Sequence, residues 1–355
     1  MIGRVKRLLP LVLLVCLGVA CGSSHGPGAE IVLRAVPQRG EVLTQAGTKL
    51  ARDIIASRLD KLGVRSPEVR SPQPGEVVVD LACTALPGST PLDVISERGQ
   101  LQFFDFEKDL APPTVDNGNP TPYPTLYSLL TAVKGEATKG TPEAYYLFRA
   151  GTSRLLHGPA ATKNELLELE GGTQQAGKTT ILAVPAGEEV ISGPAATQST
   201  RPVKKSPNGT YWYLLKLPPA LSGSGLDKSS IQAGSDQNTG TPQVTLGFTR
   251  HGDNAFQAIT KAEYERGQLV AGLHGSAGQL NPLYVQHSAI VLDGKLKVTP
   301  YIDYTDSTLS LGIPPGNGAV INNMGSISAA RNFALVLQSG SLPYRFEQVS
   351  SKLCL

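Results

Sequence analysis

The sequence predicts an α+β fold, in which strands and helices alternate without a regular strand–helix–strand repeat. Apolar residues recur at helical spacing over residues 43–62. Short runs rich in β-branched and aromatic residues, such as 76–81 and 101–106, lie near Pro- and Gly-rich turns and are typical of strands. The length of 355 residues is sufficient for two or three compact units.

The first half of the chain contains one long predicted helix and several strands. The helix over 43–62 is followed by Gly63, a common helix terminator. A second helix is predicted at 164–170, and strands are predicted at 30–36, around 69, and at 76–81, 101–106, 142–148 and 180–184. Two polar, Pro-rich stretches at 111–124 and 192–208 are predicted to be loops.

A second structured unit is predicted to begin near residue 211. Its predicted elements are strands at 211–215, 243–249, 288–292 and 344–349 and helices at 254–266 and 328–339. Asp293-Gly294 directly follows the strand over 288–292 and predicts a tight turn there. No internal repeat is evident in the sequence.

Residues 1–20 have the pattern of an export signal. Basic residues precede an apolar run at 8–20, whose thirteen residues are fewer than the roughly 20 that span a bilayer as a helix. Small residues lie directly before Cys21, as in the bacterial lipobox, so we predict lipid attachment at Cys21. Simple cleavage before Cys21 and an uncleaved anchor are the alternatives. Residues 21–29 would then form a flexible tether.

The charge balance excludes a simple nucleic-acid-binding protein. The chain has 32 Lys and Arg against 29 Asp and Glu, a net charge of +3. All of this excess lies in residues 1–20, so the remainder is formally neutral and gives no basic stripe. No other apolar run approaches membrane length. We therefore expect the protein at the outer, extracytoplasmic face of the cell membrane, held there by the lipid.

Two of the four cysteines remain once the export signal is set aside. Cys16 lies in the signal and Cys21 is the predicted lipid site, which leaves Cys83 and Cys354. Two thiols in an exported protein predict one disulfide between them. The alternative is a buried Cys83 and a free Cys354 near the chain end.

One nucleotide-binding motif in the sequence is predicted to be false. The pattern G-x4-G-K-[ST] is matched by Gly172, Gly177, Lys178 and Thr179. In a true phosphate-binding loop the glycines follow a strand, and the Lys-Thr pair opens a helix. Here the glycines follow the predicted helix at 164–170 and lead into the strand at 180–184. We interpret them as a turn and expect no nucleotide binding.

The sequence offers no other catalytic signature. Its five histidines have no metal-ligand spacing, so no metal site is predicted. There is no G-x-S-x-G motif, and Asp303 and Asp306 lie in turn-like sequence, where paired carboxylates are usually solvated. We therefore expect no enzyme and no cofactor.

Several segments, taken in order, resemble the SecD family, whose members are accessory subunits of bacterial protein export. The first is the helix exit at 58–69 with the strands at 77–81 and 101–104. The others are 213–226 with its leucine–glycine run, 244–260, the A-I-V-L-D-G sequence at 289–294 with 300–302, and the closing helix with its G-x-L-P exit at 330–343. Together they cover roughly residues 30–106 and 211–350.

The resemblance implies an extracytoplasmic domain with two parts. A ferredoxin-like base would be formed by 30–106 and 326–350, and an α+β head would be inserted at 211–325. Residues 107–210 fit no pattern of the family and are an insertion of unknown role. In a ferredoxin-like sheet of strand order 4-1-3-2, the third and fourth strands both flank the first and run the same way. This would bring Cys83 and Cys354 to one edge of the sheet.

The resemblance also implies a function. We expect a lipoprotein whose head binds unfolded or newly exported polypeptide without catalysis, with the Sec translocon as a second partner. In SecD the G-x-L-P exit leads into a membrane bundle that carries proton-driven work. This sequence ends twelve residues after Pro343, so no proton conduction is expected. The alternative is a cell-envelope binding or scaffold lipoprotein that keeps the fold without an export role. An exposed apolar groove on the head would favour polypeptide binding.

Overall fold

The computed structural model describes residues 28–82, 93–170, 177–195, 204–276, 278–322 and 324–352. Within these residues the chain forms helices and several separate sheets, which confirms the predicted α+β class. The helices are α1 (Gln45–Lys61), α2 (Asp93–Ser96), α3 (Phe106–Asp109), α4 (Leu126–Ala132), α5 (Lys163–Leu169), α6 (Arg250–Leu273) and α7 (Ile327–Ser339). Among the helices of these segments, none is both long and apolar enough to cross a bilayer.

The strands are short and are spread along the whole described chain. Those before residue 200 are β1 (Gly28–Val36), β2 (Glu68–Arg70), β3 (Glu76–Ala82), β4 (Leu101–Asp105), β5 (Val115–Asp116), β6 (Asn119–Pro120), β7 (Ala144–Arg149), β8 (Leu155–Ala160), β9 (Thr179–Val184) and β10 (Glu188–Gly193). The later ones are β11 (Tyr211–Lys216), β12 (Leu221–Ser222), β13 (Leu226–Ser235), β14 (Pro242–Phe248), β15 (Gln286–Leu292), β16 (Lys295–Val298), β17 (Tyr301–Ile302), β18 (Ala319–Ile321) and β19 (Arg345–Lys352).

The first sheet joins the two ends of the described chain. Its order is β19-β1-β3-β2, and β1 pairs antiparallel with both β19 and β3. This is the 4-1-3-2 order that the resemblance implies, and β3 and β19 run in the same direction on either side of β1. Cys83 and Cys354, which follow these two strands, lie outside the described residues, so their disulfide stays a prediction. Alkylation of the folded protein with and without reductant tests it.

Helices α1 and α7 contact each other, and α1 packs against the first sheet. Ile31, Ile55 and Leu59 belong to the apolar core between helix and sheet, and each is at most 1% exposed. Gly47 permits a close approach at the start of α1, because a Cβ atom there would come within 2.1 Å of the Tyr344 hydroxyl oxygen. That hydroxyl accepts a hydrogen bond of 3.0 Å from the backbone N–H of Thr44, the residue that caps α1.

The second sheet contains β4, which corrects one boundary predicted from the sequence. The order is β11-β10-β16-β15-β4-β12, with β17 paired to β15. We assigned residues 101–106 to the base, but β4 pairs with β15 over its whole length and with β12 on its other edge. Every residue of β4 is buried. A strand of this kind needs a partner strand on each edge and packing on each face, and β12 and β15 supply the two edges.

The segment 107–210 contributes to three sheets, of which the smallest pairs β5 with β6. Its strands β7, β8 and β9 form a sheet of their own in the order β8-β7-β9, whereas β10 joins the second sheet. Beyond it, β13, β14 and β18 form a further sheet that packs against α7. An aromatic cluster of Phe103, Phe248 and Phe256 lies at this junction, with ring centroids 4.9–5.9 Å apart.

Candidate functional site

Most of the site residues predicted from the sequence lie where the structure gives no description. Cys21, Cys83, Cys354 and Gly172 are all outside the described residues. Gly177 has a φ of +90°, and Thr179 is the first residue of β9. The motif therefore follows a helix, α5, and leads into a strand, which is the reverse of the order in a phosphate-binding loop.

Three of the described histidines, His157, His274 and His287, pair individually with carboxylates or rings. His157 Nε2 lies 2.9 Å from Glu170 Oε2, and His274 stacks on Tyr284 with ring centroids 4.9 Å apart. In the segments that the structure describes, no group of three or more His, Cys, Asp or Glu side chains could hold a metal ion.

An exposed apolar surface lies at the C-terminal end of α6. It consists of four leucines, which we call the leucine surface: Leu269, Leu273, Leu280 and Leu283, with exposed fractions of 63%, 78%, 43% and 57%. The first two are four residues apart on α6 and share one face of that helix. Soluble domains rarely expose a cluster of large apolar side chains unless it contacts another molecule.

The segment that carries Leu280 and Leu283 is fixed against α6. The stacked pair of His274 and Tyr284, the residues that follow Leu273 and Leu283, ties the segment after α6 to the end of that helix. The Tyr304 hydroxyl donates a hydrogen bond of 2.7 Å to the Gln279 carbonyl and accepts one of 2.8 Å from the Asn281 N–H. The segment that carries Leu280 and Leu283 is therefore held by a ring contact and by two hydrogen bonds.

The buried face of α6 contains an ionisable side chain. Glu263 is completely buried, and its two carboxylate oxygens lie 2.8 and 2.9 Å from the Ser288 hydroxyl of β15, which donates to them. Burial raises the pKa of Glu263 well above its usual value, and the nearby charge of Asp105 raises it further. This carboxyl group therefore keeps its proton to a higher pH than an exposed glutamate does.

Charged groups around Glu263 tie α6 to β4 and β15, and tie α3 to β15. Arg266 forms an ion pair with Asp105, and its Nε donates a hydrogen bond of 2.8 Å to Gln286. Glu107 accepts a bond of 2.8 Å from the backbone N–H of His287, and its other oxygen lies 2.7 Å from the ring Nδ1. Because these groups are largely buried and engaged with one another, they can position the helix; none of them is presented as an accessible nucleophile or base.

The part of the chain that contains α6 matches a known family model. Residues 197–344 match the family model described as "SecDF, P1 head subdomain". We call this matched region, residues 197–344, the SecD-type head. This confirms the resemblance to SecD that the sequence motifs indicate. The leucine surface and the buried Glu263 both lie in the SecD-type head.

Two curated relatives match segments of this chain that are 126 and 160 residues long. The chain is 32% identical over 126 residues to the protein translocase subunit SecDF of Thermus thermophilus, covering 36% of this chain and 13% of that protein. It is 31% identical over 160 residues to the protein translocase subunit SecD of Rickettsia prowazekii, covering 45% of this chain and 23% of that protein. The chain thus matches less than a quarter of the length of either relative.

Solved structures of SecDF are also similar. A crystal structure of SecDF in a super-membrane-facing form covers 91% of this chain with 22% identity and a TM-score of 0.48, and 30% of that chain is matched. A structure of SecDF described as a membrane component that enhances protein export covers 90% of this chain and 98% of its own, with 22% identity and a TM-score of 0.45.

Proposed function

We propose that this protein is an accessory of protein export whose SecD-type head binds unfolded or newly exported polypeptide without catalysis. The observation that supports this most directly is the leucine surface. A folded partner presents a complementary shape, whereas an unfolded chain presents scattered apolar side chains that any exposed apolar surface can cover. The family match supports the Sec translocon as a further partner.

The distribution of exposed apolar side chains favours the head over the first sheet as the binding region. Seven large exposed apolar residues of the described chain lie between 211 and 325, namely the leucine surface with Tyr301, Leu311 and Val320. On the first-sheet unit, Val42, Leu50 and Val349 are exposed singly, and such isolated residues are normal on soluble proteins.

Photocrosslinking in cells tests this proposal. A photoreactive residue at Leu273 or Leu283 should capture many different exported polypeptides, because both side chains are exposed in the leucine surface. Phe256 is only 5% exposed, and Phe248 packs against the same core, so neither is a suitable probe position. The matched control is Leu50, which is 52% exposed on α1.

The Leu50 control shows whether polypeptide capture is specific to the head. Equal capture from Leu50 would show non-specific contact and contradict polypeptide binding by the head. One discrete envelope protein captured from Leu273 would instead support a binding or scaffold lipoprotein without an export role. Burying one leucine side chain stabilises a contact by about 1.5–3 kcal/mol, so Leu273→Ser should weaken capture roughly tenfold or more.

The proposal includes a lipid anchor at Cys21 on the extracytoplasmic side of the membrane. A bacterial lipoprotein carries at least two acyl chains, which are enough for stable membrane attachment, whereas one chain binds only weakly. Cys21→Ser should therefore move the protein from the membrane to the soluble fraction and abolish labelling by a radioactive fatty acid. If the wild type takes up no fatty acid while it stays in the membrane fraction, the N-terminal segment is an uncleaved anchor and Cys21 has no lipid.

A further inference from the structure

The segments around the leucine surface carry almost no charge. Residues 267–292 contain no Lys, Arg, Asp or Glu, and the only charged residues within 298–330 are Asp303 and Asp306. In the whole chain, by contrast, 17% of the residues are charged. The leucine surface therefore belongs to an uncharged part of the sequence whose two exceptions are both acidic.

Tyr304 connects the two aspartates to the residues that carry the leucines. Its hydroxyl forms hydrogen bonds of 2.7 and 2.8 Å with the backbone on either side of Leu280. Its carbonyl accepts a bond of 3.3 Å from the glutamine side chain that precedes Leu269. Asp303 directly precedes Tyr304, and the backbone N–H of Asp306 donates a bond of 3.3 Å to the Asp303 carbonyl. Both aspartates thus lie on the segment that is bonded to the neighbours of two of the four leucines.

The two carboxylates are held in place by turns but have no cationic partner. One oxygen of Asp303 accepts a bond of 2.8 Å from the Thr305 N–H, and one oxygen of Asp306 accepts a bond of 2.9 Å from the Thr308 N–H. The hydrogen bonds from Thr308 lower the pKa of Asp306, so this group is ionised at neutral pH. Among the ion pairs of the described segments, none includes either aspartate.

The ion pairs that α6 forms just before the leucine surface add no net charge. Arg266 pairs with Asp105, and Lys261 pairs with Glu265 at 3.7 Å. Unpaired charges act on an approaching molecule over about 10 Å at an ionic strength of 0.1 M. The two aspartates therefore give the leucine surface an acidic border.

This border discriminates among the possible partners of an apolar surface. A second copy of the chain that docked through its own leucine surface would bring two further aspartates beside the first two, and like charges across an interface are unfavourable. An anionic lipid surface would be repelled in the same way. A polypeptide segment that carries a basic residue beside apolar residues complements both the leucines and the aspartates.

We propose that the leucine surface binds polypeptide segments in which a lysine or arginine lies beside a run of apolar residues. The apolar run would cover the leucines, and the basic side chain would lie toward Asp303 and Asp306. This inference rests on the proposed function, because it specifies which segments of an exported polypeptide the head selects. It adds a preference that apolar burial alone cannot supply, since the hydrophobic effect is non-directional and takes no account of charge.

Three dye-labelled peptides test the proposal by fluorescence anisotropy with the purified full-length protein. They share the core Ala-Leu-Ala-Leu-Ala-Leu and carry two lysines, two glutamines or two glutamates before it. At an ionic strength of about 0.01 M, where charges act over about 30 Å, the lysine peptide should bind about fivefold or more tightly than the glutamate peptide, with the glutamine peptide between them. At about 1 M, where charges act over about 3 Å, the three affinities should converge.

Asparagine variants assign the preference to the two aspartates. Asp303→Asn combined with Asp306→Asn removes both charges and keeps an oxygen that can accept the turn hydrogen bonds, so the three peptides should then bind alike. Asp236→Asn is the matched control, because Asp236 also accepts from two backbone N–H groups, in the turn between β13 and β14. This control should leave the preference unchanged, whereas Leu273→Ser should weaken the binding of all three peptides.

The outcomes separate this inference from the proposed function. Equal affinity of the wild type for the lysine and glutamate peptides would overturn the inference and leave polypeptide binding intact. A preference that survives in the double asparagine variant would also overturn it, since other charges would then be responsible. No binding of any peptide would contradict the proposed function as well, and capture of lipid or of a second copy by a photoreactive residue at Leu273 would then name the occupant.

Discussion

Arg58→Met should lower the free energy of unfolding by about 3–5 kcal/mol. Arg58 is completely buried at the end of α1, where its guanidinium donates to the backbone carbonyls of Val94, Ile95, Glu97 and Gly340. Methionine fills similar space but donates nothing. Each buried carbonyl left without a donor costs about 1–3 kcal/mol. Methionine also removes the desolvation cost of the buried charge, which offsets part of this loss.

The four carbonyls explain why this one side chain has a large effect. They belong to the α2 region and to the C-terminal end of α7, so Arg58 joins three segments that are distant in sequence. Burial lowers the pKa of Arg58 to about 10, so the group is still charged at neutral pH, and its hydrogen bonds are the stronger, charge-assisted kind.

Urea denaturation of Arg58→Met beside Arg52→Met tests this prediction. Arg52 is on the same helix and forms an exposed ion pair of 2.6 Å with its neighbour Asp53. Such surface pairs contribute about 0–1 kcal/mol, so Arg52→Met should leave the midpoint almost unchanged. A stable Arg58→Met protein would mean that the carbonyls find other donors and that Arg58 does not join the segments.

The helix that carries Arg58 shows how far the sequence predicts packing. The apolar spacing over residues 43–62 predicts a helix, and α1 confirms it. The buried face differs from the predicted one, however. Leu50 belongs to the apolar pattern but is 52% exposed, whereas Arg58 is fully buried. Apolar periodicity locates a helix, but it does not show that backbone carbonyls from distant segments will surround a charged side chain.

Short sequence motifs predicted the turns better than they predicted which strands pair with each other. Asp293 and Gly294 have φ values of 51° and 70°, as in the tight turns that Asp-Gly favours, and they join β15 to β16. In contrast, β10 pairs with β16 through Ser192 and Lys295, which are about a hundred positions apart. No short motif predicts such a contact, and β10 was not predicted as a strand.

The leucine surface also escaped the sequence analysis, because the predicted helix over 254–266 ended before it. The observed α6 continues to Leu273. One signal in the sequence could have revealed the buried Glu263, which lies earlier on the same helix. Glu263 lies four residues after Ile259 and seven after Phe256, which places it on the apolar face of the helix. A glutamate at such a position needs a buried partner or a raised pKa.

Glu263→Gln should make the protein more stable than the wild type at alkaline pH. The raised pKa of Glu263 means that the folded state binds its proton more tightly than the unfolded state, where the pKa is about 4.3. The free energy of unfolding therefore falls as pH rises above that value, by up to about 1.4 kcal/mol per pH unit, until the buried group ionises. Glutamine cannot ionise and can still accept a hydrogen bond from Ser288.

The measurement is the free energy of unfolding of both proteins from acidic to alkaline pH. The difference between the two curves isolates Glu263, because the charged groups around it are the same in both proteins, namely Asp105, Glu107, Asp109, Arg266 and His287. Glu265→Gln is the matched control, since Glu265 lies on the same helix, is exposed and forms a loose ion pair of 3.7 Å with Lys261. A constant difference across the range would show that Glu263 has the same pKa in both states. A difference that grows with pH would confirm the raised pKa of Glu263 and show that keeping this one carboxyl group protonated in the folded state costs stability once the unfolded state ionises.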